Sequence, residues 1–386
     1  MRKTIAILLA LCMAFALVAC AAPDDTEASA AEAPAAAEQA APVEPAAEPA
    51  AEEPAAEVMY IPVMAKGFQH QFWQAVKAGS EQAAADYGVE IYFDGPASET
   101  EIAAQVEMVK KELAKNPKAM ALAALSTEAV TEILEECAEK NIPVIGFDSG
   151  VPGDTTGAVK ATACTNNQNA AALAAEKLNE NADLVAKLQA ATPEAPVVIG
   201  CLSQDAVSAS VTDRTTGFVN KMKEICEGYK PGQVSVEGHT KWEAKVENPA
   251  IIIKVEISAT TEATALQTSS NTLLGTEGIA AIFCSNEGAV TGFLSATSDG
   301  ADLAPDGKYA GLVVAGFDAG KAQKDAIRAG YFYGSVTQDP FQIGYKAVEL
   351  AVKAANGEAV TDVDTGAQWY NADNIDNPDI ALLVYD

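Results

Sequence analysis

Basic residues are scarce in this chain. Its 386 residues set 25 Lys and Arg against 54 Asp and Glu, a formal net charge of -29. That balance excludes a nucleic-acid partner, because a polyanion is held by Lys and Arg that displace its counterions. Acidity favours solubility and names no other partner. Histidine is scarcer still, with only His70 and His239. There is no histidine cluster, no C-x-x-C pair and no Walker-type glycine loop, so neither a metal site nor a phosphate site is expected. A G-x-S-x-G elbow is also missing, and no cysteine sits in an activating context, so no catalytic residue and no cofactor are expected.

Long hydrophobic runs are missing as well. The apolar stretch from Thr4 to about Val18 follows Arg2 and Lys3, is short for a membrane span and lacks a stop-transfer flank. It has the layout of a secretory signal, residues 1–20. Its end, L-V-A-C at Leu17 to Cys20, resembles a bacterial lipobox, which makes Cys20 the lipidated first residue of the mature chain and the membrane anchor; the alternative is a plain signal with a chance cysteine. Residues 21–57 are dominated by Ala, Pro and Glu with no basic residue, and are expected to form a disordered spacer. The cysteines beyond the leader, Cys137, Cys164, Cys201, Cys226 and Cys284, are odd in number, allow at most two disulfides and suit small core positions.

From Val58 onward strands alternate with helices. V-M-Y-I-P-V-M reads as a strand, and the helix after it places Val76, Ala83 and Tyr87 on one face. After V-E-I-Y-F, a second helix carries Ile102, Val106, Val109 and Leu113 as an amphipathic stripe. The alternation restarts after Cys164, with strands at P-V-V-I-G-C-L, I-I-I-K-V-E-I, I-A-A-I-F-C and L-V-V-A-G-F-D. The pattern is that of an α/β protein with two doubly wound parallel sheets. Each half contains one copy of a heptapeptide, V-I-G-F-D-S-G at Val144 to Gly150 and V-A-G-F-D-A-G at Val314 to Gly320.

Ligands of open parallel sheets sit beyond the carboxyl ends of the strands. Asp148, Asp318, Ser203, Asn286 and Gln338 occupy such ends, although each aspartate taken alone also fits a helix cap or a loop pin. K-G-F-Q-H-Q-F-W adds Lys66, Phe68, Gln69, His70, Phe72 and Trp73 where the first strand feeds the first helix, with rings for stacking and polar groups for hydroxyls. One of Phe72 and Trp73 is expected to serve the core. In T-D-R-T-T-G-F, Arg214 is expected at a helix start, where a cation opposes the macrodipole, and so to point into the cleft; Asp213 caps that helix or holds the arginine. Carboxylates, amides, one arginine and aromatic rings together describe a neutral polyhydroxylated ligand.

These stretches, with T-N-N at 165–167, D-R-T-T-G-F at 213–218, I-F-C-S-N-E at 282–287 and V-T-Q-D-P-F-Q-I-G-Y at 336–345, resemble the solute-binding lipoproteins of sugar ABC transporters, in the ribose-binding-like group of type I periplasmic binding proteins. The resemblance implies two similar lobes joined by a three-segment hinge, with one lobe at 58–165 plus 339–362 and the other at 166–338 plus 363–386. It also implies a monomer that binds a monosaccharide or related polyol outside the cytoplasm and delivers it to an ABC transporter permease. By resemblance, Asp148, Arg214, Asn286, Asp318 and Gln338 meet sugar hydroxyls, Phe72 and Trp73 stack, and His70 makes a polar contact. Thr165, Asn166 and Asn167 stand where the family pattern reads T-D-N, which removes a carboxylate at Asn166, and the stretch at 242–250 looks inserted. Competing expectations are a nucleoside or a furanose signalling molecule as ligand, or a surface glycosidase built on paired carboxylates.

Overall fold

Strands that are apolar almost throughout, such as V-V-A-G-F at 313–317, can only be covered on both faces, and that requirement sets the architecture. The structure, a computed structural model, describes residues 58–68 and 70–385. Cys20, the leader, the spacer at 21–57 and Gln69 lie outside the described residues.

The first lobe runs β1 (Tyr60–Met64), α1 (Phe72–Tyr87), β2 (Glu90–Asp94), α2 (Ile102–Leu113), β3 (Met120–Leu122), α3 (Thr131–Glu139), β4 (Val144–Phe147) and β5 (Val159–Cys164). The second runs α4 (Asn167–Leu178), α5 (Ala182–Ala190), β6 (Val197–Ser203), α6 (Ala209–Tyr229), β7 (Val234–Glu237), β8 (Ile251–Ile257), α7 (Ala263–Leu274), β9 (Ile279–Cys284), α8 (Glu287–Ala296), β10 (Val313–Phe317), α9 (Lys321–Arg328) and β11 (Gly334–Gln338). The chain then returns to the first lobe as α10 (Pro340–Ala355) and β12 (Val363–Asp364), and crosses back as β13 (Ala367–Tyr370) and α11 (Pro378–Ala381).

The first sheet has the order β12-β5-β4-β3-β1-β2 and is parallel throughout. The second has the order β13-β11-β10-β9-β6-β8-β7, with only β13 antiparallel. In the first sheet Ile61, Val63, Ile145 and Phe147 pack under α1 and α10, while Met64, Met120, Leu122 and Val144 face α2 and α3. In the second, Ile199, Phe283 and Phe317 meet Phe218 and Met222 of α6, and Leu202, Ile282 and Val314 meet Val290 and Phe293 of α8. Cys137, Cys164, Cys201, Cys226 and Cys284 are all free, and all but Cys164 are buried.

Superimposing the two strand orders, β4 and β10 take the same place, third in each sheet, beside β3 and β9. The repeated heptapeptide therefore marks equivalent strands. The likeness extends to the backbone: the Asp148 N–H donates to Ala163 O of β5 at 3.1 Å, and the Asp318 N–H donates to Val336 O of β11 at 2.7 Å. β7 is an extra edge strand with no counterpart in the first lobe, and the stretch at 242–250 connects it to β8. There Trp242 lies half-buried and its indole N–H donates to Thr216 Oγ1 of α6 at 2.9 Å.

Three segments cross between the lobes, after β5, after β11 and after β12. Asp364 ties two of them together by accepting the N–H groups of Asn166 at 3.0 Å and Gly366 at 2.9 Å, and Thr165 Oγ1 donates to Gly366 O at 2.9 Å. The boundary expected at 362 moves to Asp364, because β12 pairs with β5 before the chain leaves the first sheet. No helix among the described residues is long and apolar enough to cross a membrane.

Candidate functional site

The carboxyl ends of β1, β4, β9, β10 and β11 converge where the lobes meet. Lys66, His70, Phe72, Trp73, Asp148, Arg214, Asn286, Asp318 and Gln338 line one cavity there, together with Glu99, Val211 and Glu287. Phe68 does not join them; its ring packs edge-on to Phe93 with centroids 5.9 Å apart. Ser203 is also apart, fully buried, with its hydroxyl donating to Asp205 O and accepting from Thr215 Oγ1.

Ion pairs form the centre of the site. Lys66 Nζ lies 3.0 Å from Asp148 Oδ2 and also donates to Ser149 Oγ and Ser210 Oγ, each at 3.3 Å. Burial alone would pull the Lys66 ammonium down, but Asp148, Glu99 and Asp205 hold it above its ordinary value. Arg214 donates through Nε to Asn167 Oδ1 at 2.8 Å and through Nη1 to Ser285 O at 3.2 Å and Asp318 Oδ2 at 3.4 Å. Its Nη2 stands 3.9 Å from Asp148 Oδ1, and its guanidinium carbon lies 3.9 Å above the Phe317 ring. Asp318 further accepts from Gln338 Nε2 at 2.7 Å and from the Glu287 N–H at 3.0 Å. The two motif aspartates thus share Arg214, and neither caps the helix that follows it.

Two expectations about Arg214 are corrected. It is not at a helix start, since Asp205 accepts the N–H groups of Val207 and Ser208 and folds the loop so that α6 begins at Ala209, which leaves Arg214 in the second turn. Asp213 neither caps that helix nor holds the arginine, and accepts instead from Gln168 Nε2 at 2.9 Å. Asn286 has two tasks: its Oδ1 accepts the Ala289 N–H as the cap of α8, and its Nδ2 donates to Gln204 Oε1 at 2.8 Å. Phe72 and Trp73 are both buried and both touch the cavity, Trp73 with an indole N–H donated to Glu99 Oε1 at 3.0 Å.

Sequence reasoning missed Glu99, Asn167, Gln204 and Glu287. Glu99 sits in the β2–α2 loop, and burial would raise its carboxyl, but Lys66, His70 and the donors Trp73 and Gln204 bring it below the ordinary range. Asn167 follows the departure at Asn166 in T-N-N, and its side-chain oxygen accepts from Arg214 Nε and orients the guanidinium. Nothing in the local pattern around Glu99 or Gln204 marks them, because their partners are distant in sequence, Trp73 for Glu99, Asn286 for Gln204, and each other across the lobes.

The lobes touch across the cleft. Gln204 Nε2 donates to Glu99 Oε2 at 2.8 Å, Ser149 and Ser210 share a hydrogen bond of 2.7 Å, and the Lys321 N–H donates to Gln71 Oε1 at 2.9 Å. The space left between the charged side chains is about 20 Å³, the scale of one water molecule, so anything larger enters by parting the lobes. A wider hollow of about 540 Å³ adjoins on the hinge side of Asp148, lined by Thr162, Asn166, Asp213, Asp362 and Asp364. The smaller space is the better candidate, because buried ion pairs and amides from both lobes converge on it, whereas Asp213, Asp362 and Asp364 are spent on their own loops and hinge.

Residues 61–359 match the family model described as periplasmic binding protein domain. The chain is 24% identical over 317 residues to the D-allose-binding periplasmic protein of Escherichia coli (strain K12), covering 81% of this chain and 90% of that protein. Among solved structures it is similar to a protein from Brachyspira murdochii described as an ABC transporter, LacI family transcriptional regulator, with TM-score 0.71, 39% identity, 85% of this chain and 99% of the other. It is also similar to an ABC transporter solute binding protein from Agrobacterium vitis with bound D-fucose, with TM-score 0.68, 25% identity, 84% of this chain and 100% of the other. Two lobes of parallel sheet, a hinge of three segments and a family match across most of the folded region lead to one statement: this chain belongs to the periplasmic binding proteins, a family that binds solutes rather than transforming them.

Proposed function

We propose that this protein is the extracytoplasmic binding component of an ABC importer, that its cleft closes on a monosaccharide or related polyol, and that the closed form delivers it to the permease. The observation that carries this is the set of partly interchangeable donors and acceptors, Asp148, Arg214, Asn286, Asp318 and Gln338, brought from both lobes to one cavity beside the rings of Phe72 and Trp73. Sugar hydroxyls both donate and accept, and such a set can meet them on several sides. The sugar-binding relatives from Escherichia coli and Agrobacterium vitis support the same class of ligand. Each buried polar group left unpaired costs about 1–3 kcal/mol, which is how the site would reject a sugar lacking one hydroxyl.

On this reading the protein works as a monomer, without catalysis, on the outer side of the membrane, held by a lipid on Cys20. A Cys20→Ser change then releases it from the membrane fraction, and retention there refutes the anchor. The ligand class is tested by a thermal-shift screen against sugars, polyols and nucleosides. A true ligand at about a hundred times its Kd adds about 2.7 kcal/mol of stability. A melting temperature that no carbohydrate or polyol raises would sink the proposal, and a response to nucleosides alone would replace the sugar by a nucleoside.

A further inference from the structure

The cavity carries more negative charge than its own cations balance. Among the described residues that line it, the fixed cations are Lys66 and Arg214, and the carboxylates are Glu99, Asp148, Glu287 and Asp318. Asp148 is met by Lys66, Asp318 by Arg214 and Gln338, and Glu99 by the charges of Lys66 and His70 and the donors Trp73 and Gln204. Glu287 stands differently. Its Oε2 is buried without a hydrogen-bond partner, as are Asp148 Oδ2 and Gln338 Oε1 in the same cavity. Asp148 Oδ2, however, has Lys66 at 3.0 Å, whereas Glu287 takes no part in the ion pairs of Lys66 and Arg214. The groups that act on its carboxyl are two more carboxylates, Asp318 and Glu99, and the N–H groups of Gln71 and Phe72 at the start of α1. The phenols of Tyr370 and Tyr385 also feel its charge, and His70 completes the ionisable groups around the space.

A buried carboxylate without a cation has two remedies, a proton or a positive partner. Burial, and then Asp318, push the Glu287 carboxyl up to about 7, so the proton is available near neutrality. Among the described residues neither Lys66 nor Arg214 supplies the second remedy at this corner, where the donors are the N–H groups of Gln71 and Phe72.

We infer that the ligand supplies it: the cleft takes a sugar or polyol bearing a protonated amine, held between Glu287 and Asp318. This inference rests on the carbohydrate reading of the cleft and narrows its substrate class. An ammonium has three donors and no acceptor, which matches a pair of neighbouring carboxylates better than a hydroxyl does. The remaining hydroxyls then face Asp148, Arg214 and Gln338. When the ammonium binds, Glu287 gives its proton to solvent and the ion pair takes its place, so charge is conserved and binding near neutral pH releases up to one proton.

The test is titration calorimetry of the protein with glucose, galactose, mannose and allose, and with the 6-amino-6-deoxy and 2-amino-2-deoxy counterpart of each. Two buffers of different ionisation heat are used, at about pH 5.5 and about pH 7. At least one amino sugar should bind about tenfold or more tighter than its parent, release protons, and hold a larger advantage at the higher pH. Glu287→Gln should reduce that preference by about 10- to 150-fold, the loss of one charged hydrogen bond. Parent sugars that bind as tightly as every amino counterpart overturn the inference and leave the carbohydrate reading standing. Failure of all sugars, amino and neutral, overturns both. A preference that survives Glu287→Gln removes Glu287 from the assignment, and proton release by the unmodified protein remains as the check if that variant does not fold.

Discussion

Asp148 and Asp318 both sit in the left-handed region of backbone space, with φ of 51° and 73°. Aspartate and asparagine tolerate that conformation and alanine does not, at a cost of about 1–2 kcal/mol. An alanine scan of the motif therefore mixes backbone strain with lost chemistry. We expect Asp318→Asn, which keeps the side-chain shape and the backbone preference, to be more stable than Asp318→Ala by at least about 1 kcal/mol in urea unfolding; equal losses would show that the backbone plays no part. Arg214 carries a different penalty. Its removal leaves Asp318 buried without its cation, so Arg214→Ala should cost about 3–5 kcal/mol of stability as well as ligand binding. A variant that melts like the parent would contradict that. Glu287 gives a pH dependence with a definite sign. Its folded value of about 7 lies above the ordinary value of 4.5, so the folded form binds the extra proton between these limits and stability from this group falls as pH rises through that window. The slope is at most about 1.4 kcal/mol per pH unit, and the difference between the parent and Glu287→Gln isolates it from the other carboxylates.

At the scale of elements, strong periodicity was readable and weak periodicity was not. The apolar runs of β6, β8, β9 and β10 and the buried Val109 and Leu113 of α2 stand out in the sequence because burial on both faces, or along one stripe, leaves few polar interruptions. β5, V-K-A-T-A-C, is half exposed and interrupted by Lys160 and Thr162, and β7 is a short edge strand, so neither announces itself. The site follows the same logic. Residues at the ends of strong strands were legible, whereas Glu99 and Gln204 acquire their meaning from partners distant in sequence, Trp73 and Asn286 within their lobes and each other across the cleft. The contact between α1 and α10 was likewise invisible. A Cβ on Gly79 would stand 1.9 Å from Phe341 O, and one on Gly344 would stand 1.9 Å from Val76 O. Either glycine changed to alanine must push the helices apart, at a cost of about 1–3 kcal/mol that a thermal melt will detect. A melt unchanged by both would mean that the two helices do not pack this closely in solution.

For the whole molecule, closure is an equilibrium that the contacts between lobes bias. Gln204 links Asn286 in the second lobe to Glu99 in the first. Gln204→Ala leaves Glu99 Oε2 short of a donor only when the lobes are together, so it should favour the open form. The expected signs are a larger radius of gyration by small-angle scattering and a sugar affinity lower by about 5- to 150-fold. An unchanged radius and affinity would take this bond out of the closing balance.

The glycine contact between α1 and α10 has a mechanical side. α10 begins at Pro340, immediately past one hinge crossing, and α1 begins at Phe72, in the wall of the cleft. Backbones that touch without side chains between them cannot slide or roll freely against each other. Any rotation of the lobes at the crossing between β11 and α10 would thereby be handed on, through one stiff two-helix lever, to the rings that would press on a sugar.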